Sequence, residues 1–151
     1  MSDVVSTSGP VIVVGVDGSD PSKDALRWAA RQAQMSGATL RAIMTWHVPM
    51  VNYGAAMPGV IEADVSRDCK EALDQAVAEI LGPEPGIKLK ADVVEGHPAE
   101  VLLAAAEGAE LLVVGSRGQG ALKGMVLGSV SAHCVSHASC PVVVVRHVAK
   151  V

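Results

Sequence analysis

Aromatic residues are nearly missing from this 151-residue chain: it has no Phe, two Trp and one Tyr. A core built on stacked rings is therefore excluded, and the apolar half of the composition must come from small and β-branched side chains, mostly Ala and Val. Such residues suit a sheet covered by closely packed helices. Clustered positive charge is also missing. The formal net charge is -4 and no basic run occurs, so the chain lacks the Lys/Arg face that binding to nucleic acid requires. The longest apolar runs, such as Val142 to Val145, fall far short of the about 20 residues that span a bilayer. No membrane segment is expected. The start, Met1 to Pro10, has neither a basic opening nor an apolar stretch. It reads as a flexible polar leader rather than a signal peptide. Only three cysteines are present, Cys69, Cys134 and Cys140, and no C-x-x-C pair. An odd number of unclustered cysteines points to reduced thiols and a cytoplasmic setting.

What is present is a regular alternation. Val11 to Val16 is a continuous apolar run, as expected of a parallel strand buried on both faces. Asp20-Pro21 offers an N-cap and a proline for the first helical turn, and Gly37 closes a helix that buries Leu26, Ala29, Ala30 and Ala33. Thr39 to Trp46 forms a second strand. His47 to Gly59 is a loop, rich in Pro and Gly. Val60 to Leu81 makes a long amphipathic helix whose buried stripe runs through Val65, Cys69, Ala72, Leu73, Ala76, Val77 and Ile80.

After the break at Gly82 to Gly86, Lys88 to Glu95 forms a more polar strand suited to a sheet edge. Pro98 opens a helix burying Val101, Leu102, Ala105 and Ala106. Leu111 to Val114 is a fourth strand, Ser129 to His137 a last helix, and Val142 to Val148 a last strand. The pattern predicts an α/β fold: a single doubly wound, five-stranded parallel sheet with helices on both faces, Rossmann-like, in one domain over residues 11–148. A flavodoxin-like strand order of 2-1-3-4-5 is the working expectation.

Ligands in such sheets sit beyond the carboxyl ends of the strands, where the order reverses. The chain leaving the first strand reads Gly15-Val16-Asp17-Gly18-Ser19, and the chain leaving the fourth carries five glycines in the fourteen residues from Gly115 to Gly128. Glycines let backbone amides turn toward an anion unobstructed. Gly128-Ser129 then opens a helix, whose N-terminus carries free N–H donors and partial positive charge. A phosphate chain fits this arrangement, with Ser129 and Ser131 as added hydroxyl donors. The P-loop pattern is absent, and Lys123 stands where a dinucleotide fingerprint would need glycine.

These motifs resemble the universal stress protein family over nearly the whole chain, Val11 to His147. The matching pieces are Val14-Gly15-Val16-Asp17-Gly18-Ser19, Gly96-His97-Pro98-Ala99, and Leu111 to Gly118 with Gly115-x-x-Gly118, nine residues, then Gly128-Ser129. The resemblance is to the ATP-binding branch. It implies the adenine nucleotide hydrolase-like version of the fold and ATP, with Mg²⁺, as cofactor. It places Gly115, Arg117, Gly118, Gly128, Ser129, Val130 and Ser131 around phosphates and ribose. Gly15, Val16 and Asp17 would face ribose and adenine, and Thr45 would pack on the base. Thr45 departs from the aliphatic residue usual there. The resemblance also implies a homodimer, formed through the last strand, and a nucleotide-dependent regulatory role in the stress response rather than an enzymatic one. A slow ATPase and a cAMP-binding protein stay open as alternatives, as does, more weakly, a flavoprotein-like subunit.

Blander readings accompany several of these residues. Asp17 could serve only to cap its turn, and Ser129 only to cap its helix. Arg117 and Lys123 could be solvated loop cations. His133 and His137 lie four apart, but two ligands without a third make a poor metal site. His97 reads as a helix-opening residue and the cysteines as small packing groups. The Met50 to Met57 segment, with Tyr53, reads either as a cover over the crevice or as a plain connection.

Overall fold

A computed structural model describes residues 9–47, 58–117 and 127–147 of the chain. Five strands and four helices alternate along these described residues: β1 (Val11–Gly15), α1 (Asp20–Ser36), β2 (Thr39–Trp46), α2 (Pro58–Leu81), β3 (Leu89–Glu95), α3 (Pro98–Ala105), β4 (Leu111–Gly115), α4 (Ser129–His137) and β5 (Val142–Val145). The strands form one parallel sheet in the order β3-β2-β1-β4-β5. This corrects the expected 2-1-3-4-5 order. β3 pairs outside β2 instead of beside β1, and β4 takes the place next to β1. The polar composition of β3 fits its position at the edge.

Alternation along β1 explains why its apolar run is continuous. Ile12, Val14 and Val16 pack into one layer, with Ala25, Leu26, Ala29 and Ala33 of α1 and Leu73 and Ala76 of α2. Val13 faces the other layer, with Leu102 and Ala106 on the α3 side and Cys134 of α4. Helices thus cover both faces. Each fully buried Leu or Ile in these layers contributes about 1.5–3 kcal/mol relative to an exposed one. The Ala stripe on α1 has no long side chains, so the helix lies close to the strands. Two of the seven residues of the expected α2 stripe are deeply buried: Leu73 and Ala76 are, Val65, Cys69, Val77 and Ile80 are partly so, and Ala72 is exposed.

Local chemistry sets the ends of the elements. α1 is capped by Ser19, one residue earlier than the expected Asp20, which instead supplies negative charge to the first turn. Gly37 ends α1 in the left-handed region at φ 77°, donating its N–H to the Ala33 carbonyl. α2 starts at Pro58, inside the segment expected to be loop. β5 stops at Val145, short of the expected Val148. Past β5, His147 turns back onto α1, its Nδ1 lying 2.6 Å from Asp24 Oδ2. Pro10, expected in the leader, already accepts a hydrogen bond from the Thr39 amide at 2.9 Å. The rest of the leader as far as residue 8 lies outside the described residues, as does the Met50 to Met57 segment.

Among the described residues no helix is long and apolar enough to cross a membrane. The three cysteines form no disulfide.

Candidate functional site

β1 and β4 are neighbours in register, with Ile12 opposite Leu111 and Val14 opposite Val113. Their exits diverge. The chain leaving β1 enters α1 on one face of the sheet, and the chain leaving β4 leads to α4 on the other. A crevice opens between diverging connections at the carboxyl edge, the usual seat of ligands in such sheets. The strand order differs from the expected one, yet the required adjacency of these two exits is present.

The β1 exit is a tightly bonded turn. Gly18 takes φ 86°, which favours glycine. The Asp17 carboxylate accepts from the Ser19 amide at 2.9 Å and from the Ser19 hydroxyl. The Asp17 amide in turn donates to Ser22 Oγ at 3.1 Å, and the Ser22 hydroxyl donates to the Ser19 carbonyl at 2.9 Å. Asp17 therefore organises its own turn, as the blander reading held, while remaining exposed. Val16 sits beneath it, 3% exposed, with its amide donating to the Ile43 carbonyl at 2.9 Å. Thr45 lies half-buried near the end of β2. Its carbonyl stands 3.8 Å from the thiol of Cys69 on α2.

The β4 exit is built differently. The Ser116 amide donates to the Val145 carbonyl at 2.8 Å, and the Ser116 carbonyl accepts from the Gly128 amide at 2.7 Å. The chain thus leaves at residue 117 and returns at residue 127 to the same point. α4 begins there, with Gly128 as its N-cap in extended geometry and no side-chain cap bond. The contrast with α1 is chemical. Ser19 Oγ accepts from the Ser22 amide in α1, whereas a glycine has no side chain to offer the first amides of α4. α3 also starts without a side-chain cap, at His97, but Pro98 at its opening contributes no N–H. Of the three helix openings whose caps are described, that of α4 has amides with neither a side-chain cap nor a proline, the kind of donors an anion needs.

The sequence-predicted site residues divide into three groups. Ser129 is exposed at the first position of α4, Val130 is half-buried behind it, and Gly128 is buried under the turn. Asp17 is exposed and Arg117 half-buried at the ends of the two strands. Gly15 and Gly115 serve close packing. A β-carbon on Gly15 would meet the Leu102 side chain at 2.7 Å, and one on Gly115 would meet the Pro21 backbone at the same distance. Ser131 is buried, and its hydroxyl points to the Ser116 and Gly128 carbonyls, 2.9 and 3.1 Å away. Gly118 and Lys123 lie outside the described residues.

Sequence reasoning missed Ser22, Pro21 and Ser116, which shape the two exits. A serine three residues after Ser19 was a readable signal for a first-turn network; Pro21 was legible as a helix opener but not as the neighbour of Gly115, and nothing marked Ser116. The His133 and His137 rings stack on α4 with centroids 4.3 Å apart. No group of three or more potential metal ligands occurs among the described residues. Burial pushes the thiols of Cys69, Cys134 and Cys140 above their ordinary value. This keeps them protonated and weakly nucleophilic, in line with a packing role.

The universal stress protein family matches residues 10–146 of this chain. A universal stress protein of Mycolicibacterium smegmatis is 37% identical over 140 residues, covering 89% of this chain and 47% of that relative. The chain therefore spans about half the length of the first curated relatives it matches, the same share holding for those of Mycobacterium bovis and Mycobacterium tuberculosis. A universal stress protein of Thermus aquaticus is 36% identical over 137 residues, covering 89% of this chain and 97% of that protein. Among solved structures, a universal stress protein in complex with cAMP is similar with a TM-score of 0.69 at 28% identity, over 93% of this chain and 98% of that one. The chain belongs to the universal stress protein family.

Proposed function

We propose that this chain binds an adenine nucleotide, ATP in the first place, in the crevice between the β1 and β4 exits. It acts as a nucleotide-dependent regulatory module of the stress response rather than as an enzyme. The observation that carries this reading is the α4 N-terminus: its N-cap is a glycine without a side-chain cap, held at the mouth of the crevice. Its amides and partial positive charge suit a phosphate. The Gly115-x-x-Gly118 and Gly128-Ser129 spacing supports ATP in particular. In this reading phosphates lie against Ser129 and Val130, with Arg117 adding positive charge, and the nucleoside lies toward Val16, Asp17 and Thr45. Mg²⁺ would be held chiefly by phosphate oxygens and water, as is usual for that ion.

A second reading, cAMP, is favoured by the solved relative that carries it. Calorimetry with Mg·ATP, repeated in the presence of cAMP, separates the two. Saturable ATP binding that cAMP fails to displace supports the first reading, and tight cAMP binding with feeble ATP binding supports the second. Failure of both nucleotides to bind sinks the proposal. Incubation with labelled ATP tests the non-enzymatic role: ADP release that disappears in a Ser129→Asp variant would make the chain an ATPase.

A homodimer formed through β5 belongs to the same reading. β5 pairs with β4 on one side and forms the edge of the sheet on the other, and its four valines are only half-buried. An apolar edge of this kind favours a partner strand. The cytoplasmic assignment in this reading rests on the three unbridged cysteines.

A further inference from the structure

Directly behind the α4 opening sits the hydroxyl of Ser131, a residue only 2% exposed. Its contact with the Gly128 carbonyl spans three residues, an ordinary back-bond for a serine in a first helical turn. Its contact with the Ser116 carbonyl, at 2.9 Å, spans fifteen residues and reaches from α4 to the end of β4. The same Ser116 carbonyl accepts the Gly128 amide at 2.7 Å, while the Ser116 amide is held by Val145 at 2.8 Å. Ser116 itself is 4% exposed. The backbone of one residue is therefore fixed to β5 through its amide and to the start of α4 through its carbonyl.

We propose that Ser131 is a positioning residue of the nucleotide site: it touches no ligand, but sets the direction in which the Ser129 and Val130 amides face the phosphates. The proposal rests on the nucleotide reading above. Its physical basis is the conformational freedom of the N-cap. Gly128 has no side chain to fix its backbone, and glycine adopts many conformations at little cost. Nine residues of α4 cannot hold their first turn rigid by helical hydrogen bonding alone. Removing the Ser131 hydroxyl leaves the Ser116 carbonyl with the Gly128 amide alone, and the helix start gains room to pivot. Hydrogen bonds to an anion lose strength steeply as the donor angle closes, so a small pivot weakens phosphate binding and leaves contacts to the base intact.

The test compares ATP with adenosine, which has no phosphate, on the full chain and on its Ser131→Ala and Ser131→Cys variants. The cysteine variant keeps nearly the same volume with only a weak donor, and supplies the comparison if the alanine variant does not fold. ATP affinity is expected to fall about tenfold, equivalent to about 1.4 kcal/mol, with adenosine affinity unchanged. Unchanged ATP affinity in a folded variant overturns the proposal. Equal loss for ATP and adenosine also overturns it, since that is the signature of a merely structural serine. A wild-type chain that binds neither ATP nor cAMP refutes the nucleotide reading itself, and this inference with it.

Discussion

Gly115 lies so close beneath Pro21 that a β-carbon on it would stand 2.7 Å from the Pro21 carbonyl carbon and 2.8 Å from its oxygen. The end of β4 and the start of α1 are thus fitted to each other through backbone, which cannot swing aside. Gly115→Ala is expected to destabilise the fold by about 1–3 kcal/mol, the usual cost of overpacking. Gly15→Ala, which meets only side-chain atoms of Leu102, is expected to cost less, because a side chain can shift where backbone cannot. Urea unfolding of both variants checks the ranking; equal stabilities would contradict it.

Ser129→Asp separates stability from binding. A carboxylate in the first turn of α4 interacts favourably with the helix dipole, which is worth about 0.3–1 kcal/mol at exposed positions. The same charge occupies the proposed anion seat and repels phosphate. The variant is expected to unfold at slightly higher urea and to bind ATP at least about tenfold more weakly, the Coulomb cost of a like charge at that range. Parallel unfolding and calorimetry measure the two effects. Retained ATP affinity would place the phosphates elsewhere.

The hydrogen bond between His147 and Asp24 gives stability an acid limb. The His147 ring holds the Asp24 carboxyl below its ordinary 3.8; burial opposes this, and Arg27 adds to the lowering. A depressed carboxyl stabilises the fold when ionised, so its contribution is full above about pH 3.8 and is lost as the pH falls through the folded-state value. Asp24→Asn is expected to cost about 0.5–1 kcal/mol near neutral pH, with the gap to the parent chain closing in acid. Urea midpoints over a pH series test this; a constant gap would mean that the pair does not set the limb.

The β5 edge gives a prediction of mass. Light scattering at micromolar concentration is expected to report twice the chain mass, and Val144→Pro is expected to shift it toward one, since the Val144 backbone faces away from β4 and proline there removes an edge donor. A monomeric parent chain would remove the dimer from the account.

How far the sequence was legible follows from the distance over which each feature is determined. The boundaries of β2 and α4 were readable because local signals set them. The helix cap was misplaced by one residue because Ser19 is oriented by Asp17, through a bond between neighbours that composition alone does not reveal. The strand order was not legible. It depends on where each crossover lays its strand, and the alternation of β and α leaves the placement of β3 open. The packing role of Gly115 and the inward turn of Ser131 were hidden for the same reason: their partners, Pro21 and Ser116, are distant in sequence and meet them only in the folded sheet. The divergence of the β1 and β4 exits needed only that those two strands be neighbours, and that adjacency is present despite the corrected order.

The most direct measurement follows backbone amide resonances during a titration with Mg·ATP. The largest shifts are expected at Ser129, Val130 and Ser131, with a second group at Val16 and Asp17 across the crevice. Shifts confined to other surfaces, or a spectrum unmoved at saturating nucleotide, would contradict a phosphate seat at the start of α4.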